Sequence, residues 1–274
     1  MLSIEEIQLL IEKLKRLKEQ DFQAVIDDSL AKLQDLFHTV NALNREQIKN
    51  LDQTKEWFER DLDFKDKNKN IIDDQWLFRQ IELKIAQFAK QGTSLQNCLE
   101  IGPGYGRFTL LFRSWRLIFF TELLEKCKDR IFSLFTKMHQ RLLRFYITDR
   151  TACPDIPTNS CNFVFSWDTF TFFTQEHTAE YLRDIHRVLL PGGYGFIHYA
   201  DCNFDADLSE AKRGYWNYNT KQSMKKLLQD AGYDVIEMDQ FKPRANYVIF
   251  KKPGNTNPVL YKVVEIPLPR DEEK

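Results

Sequence analysis

A stretch of nine residues, Leu99–Arg107, constrains the fold of this chain more than any other. It begins with apolar residues typical of a buried strand and continues into a turn that holds three glycines, Gly102, Gly104 and Gly106. Glycine adopts positive φ readily and lets a ligand approach the main chain closely. A helix is expected to follow, with unpaired N–H groups in its first turn. The stretch therefore predicts a strand–turn–helix unit that binds a nucleotide-like cofactor.

The spacing of these glycines disfavours a nicotinamide dinucleotide as the cofactor. The dinucleotide fingerprint G-x-G-x-x-G would need its third glycine at the position of Arg107. Here the third glycine comes one residue earlier, at Gly106. A nicotinamide oxidoreductase is therefore the less favoured hypothesis, and the lack of a thermal shift with NAD(P) would remove it.

Strand-like and helical segments alternate beyond residue 98, which is typical of a sheet covered by helices on both faces. The loop at 240–246 is too short for a crossover helix, so the last two strands are expected to be antiparallel. The predicted strands are Cys98–Ile101, Leu117–Phe120, Leu143–Thr148, Phe163–Ser166, Tyr194–Tyr199, Tyr233–Met238 and Tyr247–Lys251. The sequence thus predicts an α/β fold with a mostly parallel sheet and an antiparallel last strand.

The chain before residue 75 is predicted to be separate from this sheet. Residues 1–60 show the three- and four-residue apolar spacing of amphipathic helices, which predicts an N-terminal helical extension. Residues 61–74 are polar and lack periodicity, so we interpret them as a linker. Residues 75–254 would form the α/β domain and 255–274 a C-terminal tail. The extension is expected to pack on the domain or on itself, and a homodimer through its helices is the alternative.

Composition and charge exclude several classes of partner. A net charge of −1 lacks the broad basic face that nonspecific nucleic-acid binding requires, so no nucleic-acid partner is expected. The five cysteines are scattered and include no C-x-x-C pair, so neither a disulfide framework nor a metal site is indicated. No segment reaches the length of a membrane span, and the N-terminus lacks the pattern of a secretory signal. We therefore expect a cytoplasmic protein without membrane contact.

Two motifs, in this order, resemble those of the class I (Rossmann-like) S-adenosylmethionine-dependent methyltransferases. The first is the acid-x-Gly-x-Gly-x-Gly turn that begins at Glu100. The second is the run from Leu189 to Gly193, Leu-Leu-Pro-Gly-Gly, in which a helix is expected to end before an apolar strand. The reversed last strand is a further likeness, and the resemblance covers residues 75–252. It implies S-adenosylmethionine as the cofactor and methyl transfer as the reaction.

The resemblance also implies which residues hold the cofactor, together with the three glycines. In the family, the acid that matches Glu100 helps to place the amino group of the methionine part. An acid after the second strand accepts both ribose hydroxyls, because a carboxylate has two acceptor oxygens. Glu122 matches this acid, and Glu125 is the alternative if the register is shifted. Asp149 and Arg150 stand after the third strand, where relatives contact the adenine edge.

Two side chains at strand ends are candidates for catalysis. Methyl transfer from a sulfonium depends mainly on positioning, and a general base is useful when the acceptor is a hydroxyl. His198, at the end of the fifth strand, is the first candidate because imidazole titrates near neutral pH. Asp168, at the end of the fourth strand, is the second. An equally good interpretation makes His198 a core histidine bonded to a backbone carbonyl.

The acceptor is expected to be a small molecule or a saccharide, methylated at oxygen. The aromatic and polar segment Lys212–Asn219 could form a lid over it, since tyrosine and tryptophan stack well on sugar and ring faces. A departure from the family's pattern motivates an alternative: between Gly106 and Leu117 only about ten residues remain for the first helix and its return. The alternative is a catalytically inert homologue that binds the cofactor, or a protein partner through its helical extension.

Overall fold

One mixed sheet of seven strands forms the centre of the molecule, in the order β3-β2-β1-β4-β5-β7-β6. The computed structural model describes residues 74–88, 97–148, 152–153 and 155–254, together with positions 11, 32 and 33. The predicted helical extension, nearly all of the linker, and the tail therefore lie outside the described residues. The strands are β1 (Asn97–Ile101), β2 (Leu117–Glu122), β3 (Leu143–Ile147), β4 (Cys161–Ser166), β5 (Leu189–His198), β6 (Asp234–Gln240) and β7 (Asn246–Lys251).

Strand pairing confirms the predicted Rossmann-like α/β fold. The strand pairs β1–β2, β1–β4, β2–β3 and β4–β5 are all parallel. Strand β7 lies antiparallel to both β5 and β6. The short connection between β6 and β7 explains this reversal, because a parallel return would need a dozen residues or more.

Helices cover both faces of the sheet, and alternate residues of each strand point to opposite faces. On β4, Phe163 and Phe165 belong to one apolar cluster with helix α1, whereas Val164 belongs to a second cluster with α4 and α6. All six residues of β4 are buried, as expected for a central parallel strand. The helices are α1 (Gln75–Phe88), α2 (Cys127–Ser133), α3 (Lys137–Gln140), α4 (Gln175–Val188), α5 (Asp205–Lys212) and α6 (Lys221–Asp230). Among these helices, none combines the length and the apolar character needed to cross a membrane.

The segment after the glycine turn differs from the predicted helix. It forms only a 3₁₀ turn at Thr109–Phe112, and Trp115 then donates its N–H to the Phe112 carbonyl at 2.8 Å. The Phe112 ring is fully buried and contacts the rings of Trp115 and Phe163, with centroids 5.8 and 6.3 Å away. So few residues connect the turn to β2 that a full crossover helix has no room.

Helix α4 ends earlier than predicted, at Val188 rather than within the Leu-Leu-Pro-Gly-Gly run. Leu189 is extended and already belongs to β5. The ammonium group of Lys252, the residue after β7, donates to the carbonyls of His186 and Leu189 at 2.6 and 2.7 Å. A cation at this position satisfies carbonyls that the helix end leaves unpaired.

Candidate active site

The carboxyl ends of the parallel strands meet at one edge of the sheet, and this edge carries the candidate site. Strand order reverses at β1, which lies between β2 and β4, and ligands of open α/β sheets bind at such a point. The glycine turn follows β1, Glu122 is the last residue of β2, and His198 is the last residue of β5. Asp168 comes two residues after β4. The fold thus gathers these predicted site residues at one edge.

The glycine turn has a backbone that requires glycine. Gly102, Gly104 and Gly106 have φ values of +66°, +54° and +87°, in the left-handed region that other residues rarely adopt. A Cβ atom at Gly102 would also lie 2.1 Å from the Thr169 hydroxyl oxygen. The turn therefore packs directly against the segment that follows β4.

Glu122 joins the glycine turn to the loop after β2. Its Oε2 accepts the N–H of Gly104 at 2.9 Å, and its Oε1 accepts the N–H of Leu123 at 2.7 Å. Burial raises the pKa of this carboxyl, and hydrogen bonds from the backbone amides of Gly104, Leu123 and Leu124 act in the opposite direction. A carboxylate has about four acceptor positions, so the group keeps acceptor capacity for a ribose hydroxyl. Glu125 is exposed.

Glu100 is a second buried carboxyl near this turn. Its Oε2 accepts a hydrogen bond of 2.7 Å from the Thr109 hydroxyl. The pKa of Glu100 is raised to about 8, mainly by burial; the Glu122 charge also raises it, and the Thr109 hydrogen bond acts in the opposite direction. The hydrogen bonds described for these two carboxyls come from a hydroxyl and from backbone amides, not from cationic side chains. Two buried acids of this kind favour a ligand that carries positive charge.

His198 and Asp168 lie in contact at the ends of β5 and β4. The ring of His198 is fully buried, and its Nδ1 lies 3.1 Å from the Asp168 backbone nitrogen. Its Nε2 lies 3.0 Å from the carbonyl oxygen of Arg244. Asp168 has a φ of +58° and a side chain that is 47% exposed, and its Oδ2 lies 3.4 Å from an Arg107 guanidinium nitrogen. Both ring nitrogens of His198 thus already have protein partners.

Sequence reasoning did not identify three of the residues that shape this site. Thr109 binds Glu100, Thr169 packs on Gly102, and Arg244 supplies the carbonyl that faces His198. No local pattern marks these residues, because each acts through a tertiary contact. The predicted adenine-edge residues Asp149 and Arg150 lie outside the described residues.

Comparison with known proteins identifies the family of this chain and solved structures that share its fold. Residues 74–238 match the family model described as a methyltransferase domain. The chain is similar to the N-methyltransferase NodS from Bradyrhizobium japonicum WM9, solved with S-adenosyl-l-homocysteine, at 15% identity over 73% of this chain and 99% of that one, with a TM-score of 0.57. It is also similar to the putative methyltransferase of Haloferax volcanii solved with the activator Trm112, at 16% identity over 73% and 98%, with a TM-score of 0.56.

A third similar structure, the [4+2]-cyclase SpnF, has 13% identity over 64% of this chain and 80% of that one, with a TM-score of 0.51. At such identities the solved structures show a shared fold alone. A comparison with the sequences of curated proteins finds no match. The family model, however, spans more than half of the chain, including the glycine turn, Glu122, Asp168 and His198. The chain therefore belongs to the family of class I S-adenosylmethionine-dependent methyltransferases.

Proposed function

We propose that this protein is an active enzyme that transfers a methyl group from S-adenosylmethionine to an oxygen of a small molecule or glycan. The observation that carries the proposal is the pair of buried carboxyls, Glu100 and Glu122, at the glycine turn. Their hydrogen bonds leave acceptor capacity for ribose hydroxyls, and a cationic ligand would favour the ionised form of both carboxyls. Both properties suit S-adenosylmethionine.

Different residues at this edge would hold different parts of the cofactor. S-adenosylmethionine supplies an electrophilic methyl group on a positively charged sulfur. Glu122 would accept the ribose hydroxyls, and Glu100 would attract the amino group of the methionine part. The three glycines would let the main chain approach the ligand closely. Asp149 and Arg150 would line the adenine edge.

The acceptor would bind on the exposed side of Asp168. This carboxylate is half exposed at the strand-order reversal, so it can accept a hydrogen bond from an acceptor hydroxyl and orient it. The segment proposed as an acceptor lid is anchored nearby, since the N–H of Asn217 donates to the Thr171 carbonyl at 2.8 Å. The Trp216 ring meets the His198 ring edge to face at 5.8 Å. Aromatic groups at such a position suit a sugar or ring-shaped acceptor.

Calorimetry combined with a turnover screen tests this function. We expect S-adenosylmethionine and S-adenosylhomocysteine to bind with one site per chain. A panel of hydroxylated small molecules, saccharides and amines, screened for released S-adenosylhomocysteine, should then give turnover with an oxygen acceptor. No binding of either nucleoside would overturn the proposal. Binding without turnover across the panel would support the inert homologue, which the shortened 3₁₀ connection after the glycine turn favours.

Affinity for S-adenosylmethionine is expected to rise with pH because of Glu100. The pKa of Glu100 is raised to about 8, so below that pH the carboxyl is mainly protonated and neutral. A cationic ligand favours the charged form, so binding in this range releases a proton. Affinity should therefore increase as the pH rises from about 6 to about 8, by at most about tenfold per pH unit, and level off above.

Calorimetric titrations in buffers of different protonation enthalpy measure this proton release directly. The variant Glu100→Gln cannot ionise and should flatten the pH dependence. Glu125→Gln is the matched control, because Glu125 is an exposed glutamate of the loop after β2, and it should keep the wild-type slope. An unchanged slope in Glu100→Gln would contradict the assignment.

A further inference from the structure

Two residues with a strained backbone, Asp168 and Arg244, contact the imidazole of His198. Four non-glycine residues in the described part of the chain have a positive φ, and two of them are Asp168 at +58° and Arg244 at +64°. Both contact His198, one through its amide and the other through its carbonyl. Left-handed backbone at ordinary residues is costly, and it persists where the surroundings hold it in place. His198 is thus the shared contact of two such residues at the edge that carries the site.

The contacts of the ring define its proton positions. A carbonyl oxygen only accepts, so Nε2 of His198 carries a proton and donates it to Arg244 over 3.0 Å. Nδ1 lies 3.1 Å from the Asp168 nitrogen and also 3.1 Å from the Asp168 Oδ1. In the neutral ring Nδ1 accepts the Asp168 amide proton, and in the protonated ring it would donate to the Asp168 carboxylate. His198 holds Asp168 in either form.

The ring itself is held by its neighbours. It stacks on Trp167 with centroids 4.5 Å apart and planes 16° apart, and its side chain is 1% exposed. The Asp168 side chain, in contrast, is 47% exposed and reaches toward the Arg107 guanidinium of the glycine turn. On the other side of the ring, the Arg244 guanidinium pairs with the Glu210 carboxylate of α5, with 2.9 Å between nitrogen and oxygen. The imidazole therefore links the ends of β4 and β5 to the loop before β7.

We propose that His198 is a positioning residue that fixes the Asp168 carboxylate between the glycine turn and the acceptor, and that it does not take the acceptor's proton. The inference rests on the proposed function, because Asp168 has a role only where an acceptor binds beside it. It also places the carboxylate, rather than the imidazole, in reach of an acceptor hydroxyl. A displaced Asp168 would leave the cofactor contacts of Glu100 and Glu122 intact.

Two amide variants separate the two contacts of the ring. In His198→Asn the side-chain oxygen can occupy the place of Nδ1 and accept the Asp168 amide, but nothing reaches Arg244. In His198→Gln the longer side chain can place its nitrogen near the position of Nε2 and donate to Arg244, but the acceptor beside Asp168 is lost. Neither variant can serve as a general base. Each is the matched control of the other.

We expect the two variants to differ at Asp168 and in turnover. Hydrogen exchange of the Asp168 amide, followed by ¹⁵N NMR on the full chain, should stay slow in His198→Asn and become at least about tenfold faster in His198→Gln. With the acceptor that turns over in the panel, kcat should fall about 100-fold in His198→Gln, because a misplacement of about 1 Å has effects of that size. His198→Asn should lose much less turnover than His198→Gln and should keep an unshifted kcat–pH profile. The Kd for S-adenosylmethionine should stay within about threefold of wild type in both.

Other outcomes count against the proposal. Loss of turnover in both variants with slow Asp168 exchange would make His198 the base and overturn the positioning role. Failure of the wild-type protein to bind S-adenosylmethionine would overturn the proposed function. The exchange measurement would still show whether His198 holds the Asp168 amide. If His198→Gln melts too low for kinetics, the double variant with Asp168→Gly tests the strain, because glycine adopts positive φ freely. Recovery of Tm in the double variant supports the proposal, and no recovery contradicts it.

Discussion

Replacement of Gly104 by valine is expected to abolish S-adenosylmethionine binding, with a loss of affinity of at least about 100-fold. Gly104 has a φ of +54°, and its N–H donates to Glu122 at 2.9 Å. A β-branched residue is a genuine outlier in this backbone region, so the turn has to change shape. The change would break the hydrogen bond to Glu122 and push a side chain toward the ligand. Isothermal titration with S-adenosylmethionine measures the loss.

Gly232→Val is the matched control for this variant. Gly232 lies in the turn between α6 and β6 and has a φ of +84°. A Cβ there would meet only the His186 ring at 3.7 Å, which is an ordinary contact. This variant should lower the Tm through the same backbone strain and leave cofactor affinity unchanged. Equal losses of affinity in the two variants would mean that strain, and not the cofactor site, explains the effect at Gly104.

Local sequence features predicted the sheet. Strand formation depends on the apolar pattern of consecutive residues, and the antiparallel direction of the last strand depends on the length of one loop. Apolar segments predicted all seven strands, including β4, in which all six residues are buried. The length of one loop predicted the antiparallel β7. The glycines of the turn were recognisable because positive φ is a requirement on a single residue.

Long-range contacts account for what the sequence could not predict. The end of α4 depends on Lys252, which lies 66 residues from the carbonyl of His186 that it caps. The partners of His198 lie 30 and 46 residues away, so a base and a core histidine could not be distinguished from local pattern.

The sequence offers two candidates for the ribose-binding acid, Glu122 and Glu125, because it does not show where β2 ends. The pairing of β2 with β3 shows this. Strand β2 extends to Glu122, whose Cα pairs with Ile147 of β3, so this carboxylate ends at the edge where the glycine turn begins. Glu125 comes three residues later, in the loop before α2, and is exposed. The hydrogen bond between Glu122 and Gly104 supports the proposal that Glu122 is the acid that holds the ribose.

Glu122→Ala is expected to weaken S-adenosylmethionine binding about 10- to 100-fold, whereas Glu125→Ala should leave the affinity within about twofold of wild type. The loss has two physical sources. The alanine removes the acceptors for the ribose diol, and it also removes the hydrogen bond that holds Gly104. Adenine alone, which has no ribose, should lose less affinity than the full cofactor if the diol contact dominates. Calorimetry with both ligands on both variants measures the difference. A larger loss in Glu125→Ala would instead assign the ribose to the exposed glutamate and would require the loop after β2 to rearrange on binding.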